Sequence, residues 1–129
     1  MARILVADDE RAILDVIRLT CGLDGHEVEA HDNVEAAVAA FVEFRPDLLI
    51  LDVNMPPSGG ARQILERIDA LGGTGESRVI IVTGGLVDEE AAGLTSEARV
   101  KSVIGKPFEI TTMRDAVQGA LGSSVSPEA

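Results

Sequence analysis

Leu48-Leu49-Ile50-Leu51-Asp52 is the stretch that decides the fold. Four aliphatic residues run without a break and stop at a carboxylate. Pro46 stands before the run, and Met55-Pro56-Pro57-Ser58-Gly59-Gly60 follows it. A short continuous apolar run between turn residues reads as a strand buried on both faces. An aspartate at the end of such a strand is costly to desolvate unless it has partners or a cation.

The pattern recurs on both sides of this stretch. Arg3-Ile4-Leu5-Val6-Ala7 ends at Asp8-Asp9-Glu10, Val79-Ile80-Ile81-Val82 ends at Thr83, and Val100 to Ile104 ends near Lys106-Pro107. Glu27-Val28-Glu29-Ala30 alternates and reads as an edge strand. Helical spacing fills the intervals. Ile13, Val16, Ile17 and Thr20 mark a first helix closed by Gly22 and Gly25, and Asp32-Asn33 caps a second carrying Val34, Ala37, Val38 and Phe41. Gly60 to Leu71 is expected as a third, with Ile64, Ile68 and Leu71 inward. Asp88 to Ala98 is a poorer helix with Gly93 inside it, and Thr111 to Leu121 is the last. Residues 1–122 read as one domain and 123–129 as a flexible tail.

Strands alternating with helices predict an α/β fold. Five βα units with short loops fit a flavodoxin-like, doubly wound, five-stranded parallel sheet of order 2-1-3-4-5. In such sheets ligands bind beyond the carboxyl ends of the strands, where the strand order reverses. Asp8, Asp9 and Asp52 are therefore expected to face one crevice, with Thr83 and Lys106 beside it.

Composition narrows the function. The chain has 129 residues, 46% of them hydrophobic, with no apolar run near the roughly 20 residues that cross a bilayer. The single cysteine, Cys21, excludes an intrachain disulfide, and a cytoplasmic protein is expected. A net charge of −11 opposes binding to nucleic acid or to an anionic membrane.

Three carboxylates with one lysine are under-compensated. Two of them about 4 Å apart repel by roughly 4 kcal/mol at an effective dielectric near 20. Such a group raises a pKa or binds a divalent cation, and oxygen ligands with room for water suit Mg²⁺. A carboxylate is also a nucleophile toward phosphorus. The equatorial oxygens of a phosphoryl group could then be held by Mg²⁺, by the Lys106 ammonium, and by the Thr83 hydroxyl with backbone amides. With nine arginines and two lysines in the chain, a lysine before Pro107 is not casual composition.

At these residues the chain resembles the receiver domain of two-component response regulators. The matching pieces are Ala7-Asp8-Asp9-Glu10, Leu51-Asp52-Val53-Asn54-Met55-Pro56 with Gly60 eight residues after the aspartate, Val82-Thr83-Gly84, and Lys106-Pro107-Phe108. The resemblance covers about Arg3 to Leu121. It implies that Asp52 is the phosphoacceptor, and that Asp9, Asp52 and the Asn54 backbone carbonyl ligate Mg²⁺ with Asp8 acting through water. It implies phosphoryl contacts from Thr83 and Lys106, and a cis Lys106–Pro107 bond. The implied donor is a phosphohistidine of a histidine kinase or phosphotransfer protein. The implied product is a phosphorylated signalling domain rather than an enzyme, catalysing only its own phosphorylation and dephosphorylation. The signal would leave through the face of the fourth helix, fifth strand and fifth helix to an unnamed partner.

Some positions depart from that pattern. Val103 stands where an aromatic switch residue is common, and Gly84 where a small residue with a Cβ is common. Gly59 and Ser58 also differ from the usual residues, and Pro57 stiffens the loop after Asp52. Without a ring at 103, the moving element is expected in the backbone around Gly84-Gly85 and the helix after it. Leu14 is expected off the core stripe of the first helix, as an apolar anchor for the kinase. Rival readings fit less well. A haloacid-dehalogenase-type phosphatase needs an acid two residues after the nucleophile, where Asn54 stands. A flavodoxin-like cofactor binder wants glycines, not Asp8-Asp9-Glu10, after the first strand. A degenerate receiver acting only as an interaction module would lack part of the acidic, Thr and Lys set.

Overall fold

Hydrophobic runs that stop at polar residues build the three central strands. The computed structural model describes residues 2–55, 59–84, 93–94 and 97–122. The order is β1 (Arg3–Ala7), α1 (Arg11–Leu23), β2 (Glu27–His31), α2 (Val34–Phe44), β3 (Leu48–Asp52), α3 (Ala61–Ala70), β4 (Arg78–Thr83), β5 (Val100–Gly105) and α4 (Ile110–Gly122). The strands form one parallel sheet in the order β2-β1-β3-β4-β5. This is the expected flavodoxin-like arrangement.

Alternation along the strands splits the core in two. Leu5, Leu49, Leu51, Val79 and Ile81 point to the face covered by α2 and α3. Ile4, Val6, Leu48, Ile50, Ile80 and Val82 point to the face covered by α1 and α4. All five residues of β3 are buried, because it is central and covered on both sides. Each such aliphatic side chain contributes about 2 kcal/mol by leaving water. The edge strands β2 and β5 are more exposed and more polar.

Two local features position the site. The β4–β5 ladder slips by one residue: Val79 pairs with Val100, but Ile80 pairs with Ser102, so Lys101 is an extra residue on β5. Gly60, before α3, lies hard against the backbone after β3. A Cβ there would meet the Val53 carbonyl oxygen at 1.8 Å, so glycine is required by close approach. Its N–H donates to Gln63 Oε1 at 2.7 Å, closing the start of the helix.

The helix faces need correction in three places. Leu14 is buried with Ile17, Thr20 and Cys21, while Val16 is 36% exposed. The true stripe is 14-17-21, so Leu14 is a core residue and not a surface anchor. The helix also runs through Gly22 to Leu23 instead of closing at the glycine. Leu71 is exposed, because α3 ends at Ala70 and Leu71 is its C-cap. The second helix is as read: Asn33 Oδ1 accepts from the Ala36 N–H at 2.8 Å. Most of the expected helix from Asp88 to Ala98 lies outside the described residues, with Gly93 and Leu94 helical and Leu94 in the core. Gly85 and residues 123–129 also lie outside them.

A carboxylate cleft at the ends of four strands

Four neighbouring strands deliver polar groups to one end of the sheet. Asp8 follows β1, and its N–H donates to the His31 carbonyl at 3.1 Å, extending the ladder toward β2. Asp52 closes β3 and Thr83 closes β4. Lys106 follows β5, and its N–H donates to the Thr83 carbonyl at 2.8 Å. The Val53 N–H likewise donates to the Val82 carbonyl at 2.9 Å. The backbone ladder therefore continues past the strands and fixes the bases of these side chains.

The result is a cleft of about 240 Å³ whose lining includes Asp9, Asp52, Asn54, Thr83, Gly84 and Lys106. Carboxylate oxygens of Asp8, Asp9 and Asp52 lie within 4.8 Å of one another. Asp8 and Asp52 are buried, as is Thr83, while Asp9 and Asn54 are exposed. The crevice expected from strand order is thus present, and it brings the sequence-derived candidates together. The Lys106–Pro107 peptide bond is cis.

Lys106 reaches into the middle of the group. Its Nζ lies 2.9 Å from Asp8 Oδ2, 2.9 Å from Glu10 Oε1 and 3.3 Å from Asp52 Oδ2. Asp52 Oδ1 accepts from the Asn54 N–H at 3.3 Å, and Asp8 Oδ1 from the Glu10 N–H at 2.9 Å. Burial and the neighbouring Asp8 charge push the Asp52 carboxyl up to about 6, against the opposing pull of Lys106 and the Asn54 N–H. Burial alone would pull the Lys106 ammonium down, but the carboxylates of Asp8, Glu10 and Asp52 outweigh it and hold the group above its ordinary range. One lysine does not neutralise this much buried negative charge.

The same residues fit a hard cation. Asp8 Oδ2 is buried and accepts no aligned hydrogen bond among the described residues, although the ammonium lies close to it. The donor set is all oxygen. Oxygens on one octahedral cation at about 2.1 Å stand about 3–4 Å apart, and those of Asp8, Asp9 and Asp52 lie within 4.8 Å of one another. Glu10 was not anticipated as a member of the cleft. It continues the acidic run at 8 and 9, but its contact with Lys106 spans 96 residues and carries no local signal.

The geometry has relatives. A family model described as the response regulator receiver domain matches residues 4–118. Over 111 residues the chain is 40% identical to the response regulator MprA of Mycobacterium tuberculosis, covering 84% of this chain and 45% of that protein. It is 40% identical to MprA of Mycobacterium avium over the same length, covering 84% and 46%. The chain thus spans less than half the length of these curated relatives. Among solved structures, a response regulator receiver domain protein from Clostridium thermocellum is similar with a TM-score of 0.79 at 28% identity, covering 96% of this chain and 97% of that one. The Vibrio cholerae chemotaxis protein CheY4 shares the fold with a TM-score of 0.83 at 24% identity, over 94% and 99%. Sequence, sheet order and the strand-end carboxylates agree: this chain belongs to the response regulator receiver domain family.

Proposed function

We propose that this domain accepts a phosphoryl group on Asp52 from a phosphohistidine of a histidine kinase or phosphotransfer protein. The observation that carries the reading is a buried strand-end carboxylate with an ammonium 3.3 Å away and two further carboxylates within reach of one cation. An Asp52 oxygen forms the new O–P bond as the P–N bond of the donor breaks. The electron pair stays on the imidazole nitrogen, which leaves as neutral imidazole after taking a proton from solvent.

Each residue has a task in that transfer. Asp9, Asp52 and the Asn54 carbonyl would hold Mg²⁺, with Asp8 contributing through water. When bound, the metal supplies charge neutralisation for the phosphoryl oxygens. Lys106 neutralises a phosphoryl oxygen directly, and Thr83 donates its hydroxyl to another. The carboxyl at about 6 leaves Asp52 mostly ionised at neutral pH, as a nucleophile must be.

The domain that does this spans residues 1–122. Its setting is cytoplasmic, and no described helix is long and apolar enough to cross a membrane. The net charge of −11 disfavours direct contact of this domain with nucleic acid or an anionic membrane. The signal leaves to a protein partner through the side of the sheet bearing β5 and α4, where Val103 and Ile110 stand exposed. The domain acts as a signalling element and catalyses only its own phosphorylation and dephosphorylation.

Intact-mass measurement tests the acceptor. With acetyl phosphate and Mg²⁺, the wild type is expected to gain one phosphoryl group and Asp52→Ala none. Equal labelling of the two would overturn the assignment.

A further inference from the structure

Glu10 is a fourth carboxylate at the cleft, and nothing in the transfer above uses it. It occupies the N-cap position of α1, but its side chain makes no capping hydrogen bond. Instead, Glu10 Oε1 accepts from Lys106 Nζ at 2.9 Å. An ammonium has three N–H donors, and this one faces three carboxylates: Asp8, Glu10 and Asp52. A phosphoryl oxygen competes with these carboxylates for the ammonium.

The three partners differ in what release costs. The Asp8 side chain is 2% exposed, so withdrawing the ammonium would strand a buried charge, and the same holds for Asp52, 4% exposed, until the phosphoryl group is on it. The Glu10 side chain is 60% exposed and returns to water at little cost. We propose that Glu10 is a positioning residue that holds Lys106 in the resting site and releases it when a phosphoryl group arrives. Glu10 thereby sets the affinity of the cleft for a phosphoryl group. This deepens the phosphoacceptor reading and rests on it.

A rival account makes Glu10 only a negative charge at the mouth that repels anions. The two separate on side-chain length. Glu10→Gln removes the charge, whereas Glu10→Asp keeps it but is one methylene too short to hold Nζ. The first measurement needs neither metal nor phosphoryl group. The chain has two lysines, Lys101 and Lys106, so ¹⁵N spectra of the lysine ammonium groups are simple to assign. The Lys106 ammonium protons are expected to exchange faster with water in both variants than in the wild type, with Lys101 as the internal reference. The second measurement is the affinity for beryllium trifluoride, a phosphoryl analogue, at Mg²⁺ concentrations that saturate each protein. Both variants are expected to bind about two- to five-fold more tightly, the range an exposed ion pair supplies. Tighter binding by Glu10→Gln with Glu10→Asp at the wild-type value would establish the rim charge and overturn the hold. Unchanged affinity in both variants, or unchanged Lys106 exchange, would also overturn it. A wild type that binds no beryllium trifluoride would sink the phosphoacceptor reading instead, and the exchange rates would still decide whether Glu10 holds Lys106.

Discussion

The two ends of the sheet treat aspartate in opposite ways. At the amino ends of the strands, Asp69 receives a two-pronged bond from Arg99 at 2.8 and 2.9 Å, which holds its carboxyl below the usual range. Arg99 also bonds Glu97 at 2.7 Å and Thr74 at 3.2 Å. Close by, Asp47 Oδ2 accepts from the Arg3 N–H at 2.9 Å, and the Ser77 hydroxyl donates to the Pro46 carbonyl at 2.6 Å. At the carboxyl ends, Asp52 shares one ammonium with Asp8 and Glu10 and is pushed up to about 6. One end matches charges locally and stabilises the fold. The other leaves negative charge in excess, a cost that a bound cation or a proton relieves.

Removing the cation from the crowded end should have the largest effect. Lys106→Met leaves Asp8 and Asp52 buried without a counter-charge and is expected to destabilise by about 3 kcal/mol, read by denaturant unfolding without Mg²⁺. A loss no larger than that of a surface substitution would mean that water already compensates these carboxylates. The opposite change should stabilise. Asp52→Asn removes the charge that folding penalises and is expected to gain about 2 kcal/mol at pH 7. The sign follows from a raised carboxyl: the folded state binds the proton more readily, so the penalty is absent below about pH 4 and complete above about pH 6. The stability gap between variant and wild type should therefore open across that window, and Mg²⁺ should narrow it at pH 7. A gap independent of pH would break the comparison.

The matched end should respond in the other direction. Arg99→Ala is expected to cost about 1 kcal/mol at pH 7, because it takes away bonds to two partly exposed carboxylates. Since Asp69 is held low, its share is present at neutral pH and lost as acid protonates it, so the cost of Arg99→Ala should shrink in acid. The smallest effect expected is kinetic. Gly84 lines the cleft, and a Cβ there would meet nothing within 4 Å. Gly84→Thr should screen the site from hydrolytic water and lengthen the aspartyl-phosphate lifetime by about two- to three-fold, well under 1 kcal/mol of barrier. An unchanged or shorter lifetime, with fold and labelling intact, would show that water access at this position does not limit hydrolysis.

What was legible in the sequence follows from what is local. Unbroken runs such as Leu48–Leu51 exist because β3 is covered on both faces, so burial is written directly into consecutive residues. Each run stops where the chain reaches the cleft, which is why sequence alone places Asp8, Asp52 and Thr83 at strand ends. The stripe Ile13-Val16-Ile17 fails because Gly22 does not stop α1 and Cys21 belongs to its apolar face. Including Cys21 turns the stripe to 14-17-21 and buries Leu14. Leu71 was misplaced because its hydrophobicity outweighed the glycines after it, which end α3 at Ala70. Glu10 stood in the acidic run after β1, but nothing local tied it to Lys106. Its role depends on Lys106, whose distance from it is set by the sheet and not by the chain.

The extra residue on β5 carries a consequence for chain length. Lys106 arrives at the cleft two strands away from Asp52, a span of about 10 Å that only a long stem can bridge. Its arrival also depends on parity. Side chains alternate across a sheet, so shifting a strand by one residue sends every later side chain to the opposite face. Lys101 is the residue that adds the odd step between the pairs Val79–Val100 and Ile80–Ser102. Deleting Lys101 alone would leave Asp8, Asp52, Thr83 and Lys106 all in the chain. It would restore regular pairing from Val79–Val100 to Ile80–Ser102 and keep Thr83–Gly105, with Lys106 after it, in register. Deleting one residue between Ser102 and Gly105 would instead draw the lysine back by about 3.3 Å and turn it away from its carboxylates. The chemistry of this cleft is thus encoded in a count of residues as well as in their identities.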